Sequence, residues 1–98
     1  MKKENGMTDE EYKDLLAEVN EEMLFAAGFE AALIGYVTRF GMEPVALYDW
    51  EKCMKILMER DGMTYEEADE FFSFNVIGAW MGENTPAFAT IVPRKPQS

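Results

Sequence analysis

Carboxylates are the only potentially reactive groups that this chain supplies in number: nineteen Asp and Glu stand beside one Cys and no His. Acid pairs can act as general acid and base, or hold a hard cation, when they converge from different elements. Candidates for such work are Asp49, Asp61 and Glu83, and the dense run Glu66, Glu67, Asp69, Glu70, in which Glu66 and Glu70 stand one helical turn apart. Asp61-Gly62 has the look of a calcium-loop fragment, but the alternating acids before it and the closing Glu are missing. The absence of His removes the commonest general base and zinc ligand. Cys53 has no base to activate it and falls on an apolar helix face beside Trp50 and Leu57, so it reads as a small buried residue. Gly78 and Gly82 lack the Gly-Lys-Ser/Thr of a phosphate loop. The residues call for no catalytic apparatus, no cofactor and no resident metal.

What remains is charge. The formal net charge is −10, and the basic residues crowd towards the ends: between Thr8 and Val92 eighteen acids face only Lys13, Arg39, Lys52, Lys55 and Arg60, which leaves that stretch near −13. Such a body repels nucleic acid and anionic membrane and attracts basic surfaces at long range. Some of the acid has a local purpose. Asp9 to Glu11 and Glu66 to Glu67 belong to first helical turns, where capping and the helix dipole favour them. The mid-helix acids Asp14, Glu18, Glu21 and Glu22, with Asp69 and Glu70, have no such reason. Together with Glu66 they are the candidate contacts for a partner, and the loop residues Trp80, Glu83 and Asn84 come second. Carboxylates at helical intervals can imitate a row of phosphates and occupy a nucleic-acid-binding groove, while a well-solvated face explains the same residues without a partner. The expected partner is therefore a basic protein surface, such as that of a nucleic-acid-handling protein. Eight Met and many aromatics also leave room for a homo-oligomer.

The elements that must carry these residues follow from pattern. Thr8-Asp9-Glu10-Glu11 is a capping box, and Tyr12, Leu15, Leu16, Val19 and Met23 form one stripe behind it, which predicts an acidic amphipathic helix over 8–27 stopped by Gly28. Residues 31–40 and 45–48, rich in β-branched and aromatic side chains, predict a hairpin turning at Gly41 to Glu43; a helix from Glu30 to Phe40 is the alternative. Asp49 caps a second helix with Trp50, Cys53, Met54 and Leu57 on its inner face and an i,i+4 pair of Glu51 and Lys55 outside, ended by Gly62. Thr64-Tyr65-Glu66-Glu67 is a second capping box. Its helix runs to about Asn75, with Tyr65, Ala68, Phe71, Phe72 and either Phe74 or Asn75 turned inward. Residues 78–86 form a loop in which Trp80 plugs the core or anchors an interface. Ala87 to Val92 is a short last strand, at the sheet edge or beside the hairpin. The expectation is a single α+β domain over 8–92, a hairpin and third strand packed on two or three helices, between a flexible start (1–7) and a polar tail (93–98).

Ninety-eight residues with 48% apolar content, two Trp, seven Phe and four Tyr are enough for one core. One Cys allows no internal disulfide, the opening Met1-Lys2-Lys3-Glu4 does not read as a secretory leader, and no apolar run is long enough to span a bilayer, so a cytoplasmic protein is expected. The runs Tyr48 to Leu57, Asp61 to Ala68 and, above all, Phe74-Asn75-Val76-Ile77-Gly78-Ala79-Trp80-Met81-Gly82-Glu83-Asn84-Thr85-Pro86 resemble a family of small uncharacterised bacteriophage-encoded proteins. The resemblance covers residues 29–92 and leaves out the amino-terminal acidic helix. It implies phage or prophage origin and brings no catalytic residues with it. Small acidic phage proteins act by blocking host nucleic-acid enzymes or nucleases, so by analogy it implies an inhibitor or modulator of a host or phage nucleic-acid-handling or defence protein.

Overall fold

The computed structural model describes residues 7–79 and 82–94. Among them, three helices and a three-stranded mixed sheet form the expected α+β fold. In chain order these are α1 (Asp9–Val19), β1 (Leu33–Arg39), β2 (Met42–Asp49), α2 (Trp50–Asp61), α3 (Tyr65–Asn75) and β3 (Ala87–Ala89), with 3-10 turns at Glu30–Ala32 and Ile77–Ala79. The flexible ends expected at 1–7 and 93–98 fall largely outside the described residues, as does Trp80.

Helix α1 begins as its sequence dictates. The Thr8 hydroxyl accepts from the Glu11 amide at 3.1 Å, and the Glu11 carboxylate accepts from the Thr8 amide at 3.0 Å. It ends at Val19, well short of the predicted residue 27, and Gly28 is not its stop. The cause is Asn20. Its backbone is extended, and its side-chain carbonyl accepts from the Glu22 amide at 3.0 Å, an Asx turn that competes with the helical ladder. Met23, Ala26 and Phe29 are then buried from an irregular segment rather than from a helix face. The Ala26 amide donates to the buried Tyr48 hydroxyl at 2.7 Å, which anchors that segment on the sheet.

The strand reading of residues 33–39 prevails over the helix alternative, and only Glu30–Ala32 is helical. The hairpin turns one residue earlier than predicted, at Phe40 and Gly41, because Arg39 pairs with Met42 and Gly41 supplies the positive φ of 75°. Strand β2 is central, with β1 antiparallel on one side and β3 parallel on the other. Pro44, which has no amide to give, lies where β3 does not reach. Strand β3 is an edge strand and stops at Ala89, so residues 90–92 of the predicted strand leave the sheet.

Asp49 accepts from the Lys52 amide at 3.2 Å to start α2, and Gly62 ends it in the left-handed region at φ 69°. Cys53, Met54 and Leu57 are buried as predicted. The Glu51–Lys55 pair is not made: Glu51 accepts from the Tyr65 hydroxyl, and Lys55 lies 4.0 Å from Glu59. The capping box of α3 is present, but its inner face is narrower than predicted. Only Ala68 and Phe72 are buried, while Tyr65, Phe71, Phe74 and Asn75 are exposed. Phe72 fills the space between sheet and helices, with its ring edge-on to Phe29 at 5.1 Å, Trp50 at 5.3 Å and Phe88 at 5.0 Å. Those three rings come from three other parts of the chain, and they fix which side of α3 turns inward.

Candidate functional site

The acids singled out from the sequence are all on the surface. Asp14 and Glu18 are exposed on α1 at an i,i+4 spacing. Glu21 and Glu22 are exposed too, but they sit in the turn after α1, so the four carboxylates do not form a single helical row. Glu66, Asp69 and Glu70 are exposed on α3, and Glu83 is exposed in the loop before β3. Asn84 is half-buried: its side-chain carbonyl accepts from Asn20 at 2.9 Å, and its backbone carbonyl accepts from the Leu24 amide at 3.4 Å.

Among the described residues, ion pairing leaves most of this acid uncompensated. Among the described residues the pairs are Lys13–Glu30 at 3.0 Å, Arg60–Asp61 at 3.1 Å and Lys55–Glu59 at 4.0 Å. The Lys13 hydrogen bond, outweighing partial burial, holds the Glu30 carboxyl below its ordinary pKa. The other bases also have structural duties. Arg60 donates to the Gly28 carbonyl at 3.2 Å and lies 5.3 Å over the Phe29 ring, and Arg39 donates to the Glu83 carbonyl at 3.0 Å.

The carboxylates considered for catalysis do not gather. Asp49 and Asp61 lie at opposite ends of the twelve-residue α2, about 18 Å apart at 1.5 Å per residue. Among the described residues no three Asp, Glu or Cys side chains are grouped to hold a metal ion. Burial, with the Asp49 charge adding to it, pushes the Cys53 thiol up to about 12, so it is neutral at physiological pH.

Two shallow concavities lie among the described residues. A groove of about 320 Å³ runs along α2 between Met54, Met58 and Tyr65, edged by Glu51, Lys55 and Glu59. At its mouth the Trp50 indole donates to the Tyr65 hydroxyl at 3.3 Å, and that hydroxyl donates to Glu51 at 2.9 Å. The indole bond is the largest single influence and lowers the Tyr65 pKa, but the Glu51 bond, desolvation and the charges of Glu51 and Asp69 together outweigh it, so the phenol titrates above its ordinary value. A second groove of about 290 Å³ lies against Lys52, Lys55, Ile56 and Ala31. Both are open troughs lined with mixed charge.

The apolar neighbours of the α3 acids escaped the sequence reading. Phe74 is 75% exposed, and Phe71 and Ile77 are partly exposed beside it. The signal was present in the four-residue steps from Glu66 to Glu70 to Phe74, which put the ring in line with two carboxylates. No protein-family model, no curated protein and no solved structure matches this chain. Among the described residues no helix is long and apolar enough to cross a membrane.

Proposed function

We propose that this is a non-enzymatic interaction protein that binds a basic protein surface and thereby inhibits or modulates a nucleic-acid-handling or defence protein in the cytoplasm of a phage-infected host. The observation that supports this reading most is the exposed, uncompensated acid. Asp14, Glu18, Glu21, Glu22, Glu66, Asp69 and Glu70 all face solvent and have no basic partner among the described residues. Carboxylates held this way cost no desolvation in the free protein and speed encounter with a cationic surface. The phage setting rests on the resemblance in residues 29–92.

Affinity capture from bacterial lysate at low and high salt tests the reading. The expected result is a captured set containing nucleic-acid-binding proteins, retained at low salt, released as salt rises and displaced by added DNA. Capture that ignores salt, or a set without nucleic-acid-binding members, would overturn it.

A further inference from the structure

Helix α3 buries Ala68 and Phe72 and turns its opposite side to solvent. Along that outer side Glu66, Glu70 and Phe74 follow one another at four-residue steps and Glu67 stands one turn before Glu70, while Ile77, exposed as well, opens the 3-10 turn just past the end of the helix. Phe74 is 75% exposed and touches no part of the core that would explain it. Phe71, on the flank, adds a further exposed edge, so acid and apolar surface are continuous on one helix. The α3 carboxylates have no ion pair among the described residues, and α3 itself carries no Lys or Arg.

A partner that covers this face must bring apolar surface for the phenylalanines and cations for the acids. Nucleic acid and an anionic membrane supply neither cation nor fit, and a second copy would bring its own excess of ten negative charges. We propose that the outer face of α3 is the docking surface for the basic partner inferred above, and that the partner's contact segment is amphipathic: an apolar stripe seats Phe71, Phe74 and Ile77, and flanking Lys or Arg side chains meet Glu66, Glu67 and Glu70. Phe74 is the anchor, since a large ring in a desolvated centre carries more of an interface than its charged rim. The inference rests on the proposed function and narrows it to α3 rather than the Asp14 to Glu22 acids.

The test titrates isotope-labelled protein with two synthetic peptides of equal length and charge, one of leucine and lysine in helical amphipathic order, the other with serine in place of leucine. The leucine peptide is expected to shift the amide resonances of residues 66–77. Phe74→Ser should weaken it by about tenfold with the fold unchanged by circular dichroism, and Glu66→Gln with Glu70→Gln should weaken it and flatten its salt dependence. The serine peptide should bind at least about tenfold more weakly and ignore Phe74→Ser. Shifts confined to residues 14–22, with Phe74→Ser neutral, overturn the α3 assignment and leave the acidic-interaction reading standing. No binding of either peptide overturns both, and a dimer that Phe74→Ser dissociates overturns the assignment in favour of self-association.

Discussion

Asn20 and Asn84, sixty-four residues apart in the chain, are joined by a side-chain hydrogen bond of 2.9 Å, and the same Asn20 amide donates to the Pro44 carbonyl at 2.9 Å. With the Glu22 amide bonded to its oxygen, both donor hydrogens and the acceptor of this side chain are used. Asn20 is only 6% exposed, a buried side-chain amide whose polar atoms all find partners. It therefore ends α1, holds the central strand at Pro44 and fixes the loop before β3.

Removing this clamp should be expensive. Asn20→Ala leaves the part-buried Pro44 carbonyl, the part-buried Glu22 amide and the Asn84 oxygen without their protein partner, and should cost about 1–3 kcal/mol; Asn84→Ala should cost about 1–2 kcal/mol. The double variant should cost less than the sum of the two, because both remove the same bond. Urea unfolding checks this through a lowered midpoint at constant slope. Strict additivity would mean that the bond is not made in solution.

The alkaline limb of stability should be set inside the core. Burial pushes the Cys53 thiol from 9.0 to about 12 and the Tyr48 phenol from 10.0 to about 12. Between those values the unfolded chain has lost the protons that the folded chain still holds, so the stabilisation is complete below pH 9 and is lost as pH rises towards 12. Urea midpoints measured across this range should fall, and Cys53→Ala should flatten the earlier part of the fall. In the native state Cys53 should react with thiol reagents only as fast as the chain opens, and urea should accelerate the reaction.

At the acid end the sign reverses. Glu30 is held below its ordinary 4.5 by Lys13, so its contribution is present above 4.5 and is lost as pH falls through the lowered value. Lys13→Met or Glu30→Gln should cost about 0.5–1 kcal/mol at neutral pH, because the pair is only partly shielded from water. Either variant should also show a shallower decline of stability with acid than the parent chain.

What could be read from the sequence was decided within a few residues. Both capping boxes and the Asp49 cap are contacts between a side chain and nearby backbone, the Gly62 stop is a left-handed backbone turn bonded to the Met58 carbonyl, and each is where the pattern puts it. The end of α1 was hidden because, although its Asx turn to Glu22 is local, the partners that bury and hold the Asn20 amide lie 24 and 64 residues away. The inner face of α3 was hidden for a related reason. Phe71, Phe72 and Phe74 are equally apolar, and only Phe29, Trp50 and Phe88 decide which of them is enclosed. The surplus acids were legible as surface because they lie off the apolar stripes, although Glu21 and Glu22 fall in the turn after α1 rather than on the helix. The aromatic surface beside Glu66 and Glu70 was not, since it appears only once α3 has chosen its side.

That choice of side gives the sharpest contrast in the molecule, between two phenylalanines two positions apart. Phe72 is fully buried and meets three aromatic rings edge-on, so Phe72→Ala should cost about 3–5 kcal/mol in lost burial and residual cavity. Set against the ~5–15 kcal/mol that holds a typical domain folded, this should leave the chain marginal or unfolded. Phe74 is 75% exposed, so Phe74→Ala should change stability by less than about 0.5 kcal/mol. If α3 were rotated to bury the face predicted from the sequence alone, the two costs would move towards each other. Thermal and urea unfolding of the two variants measure the rotation of α3 directly, and comparable losses would place Phe74 in the core and remove it from any docking surface.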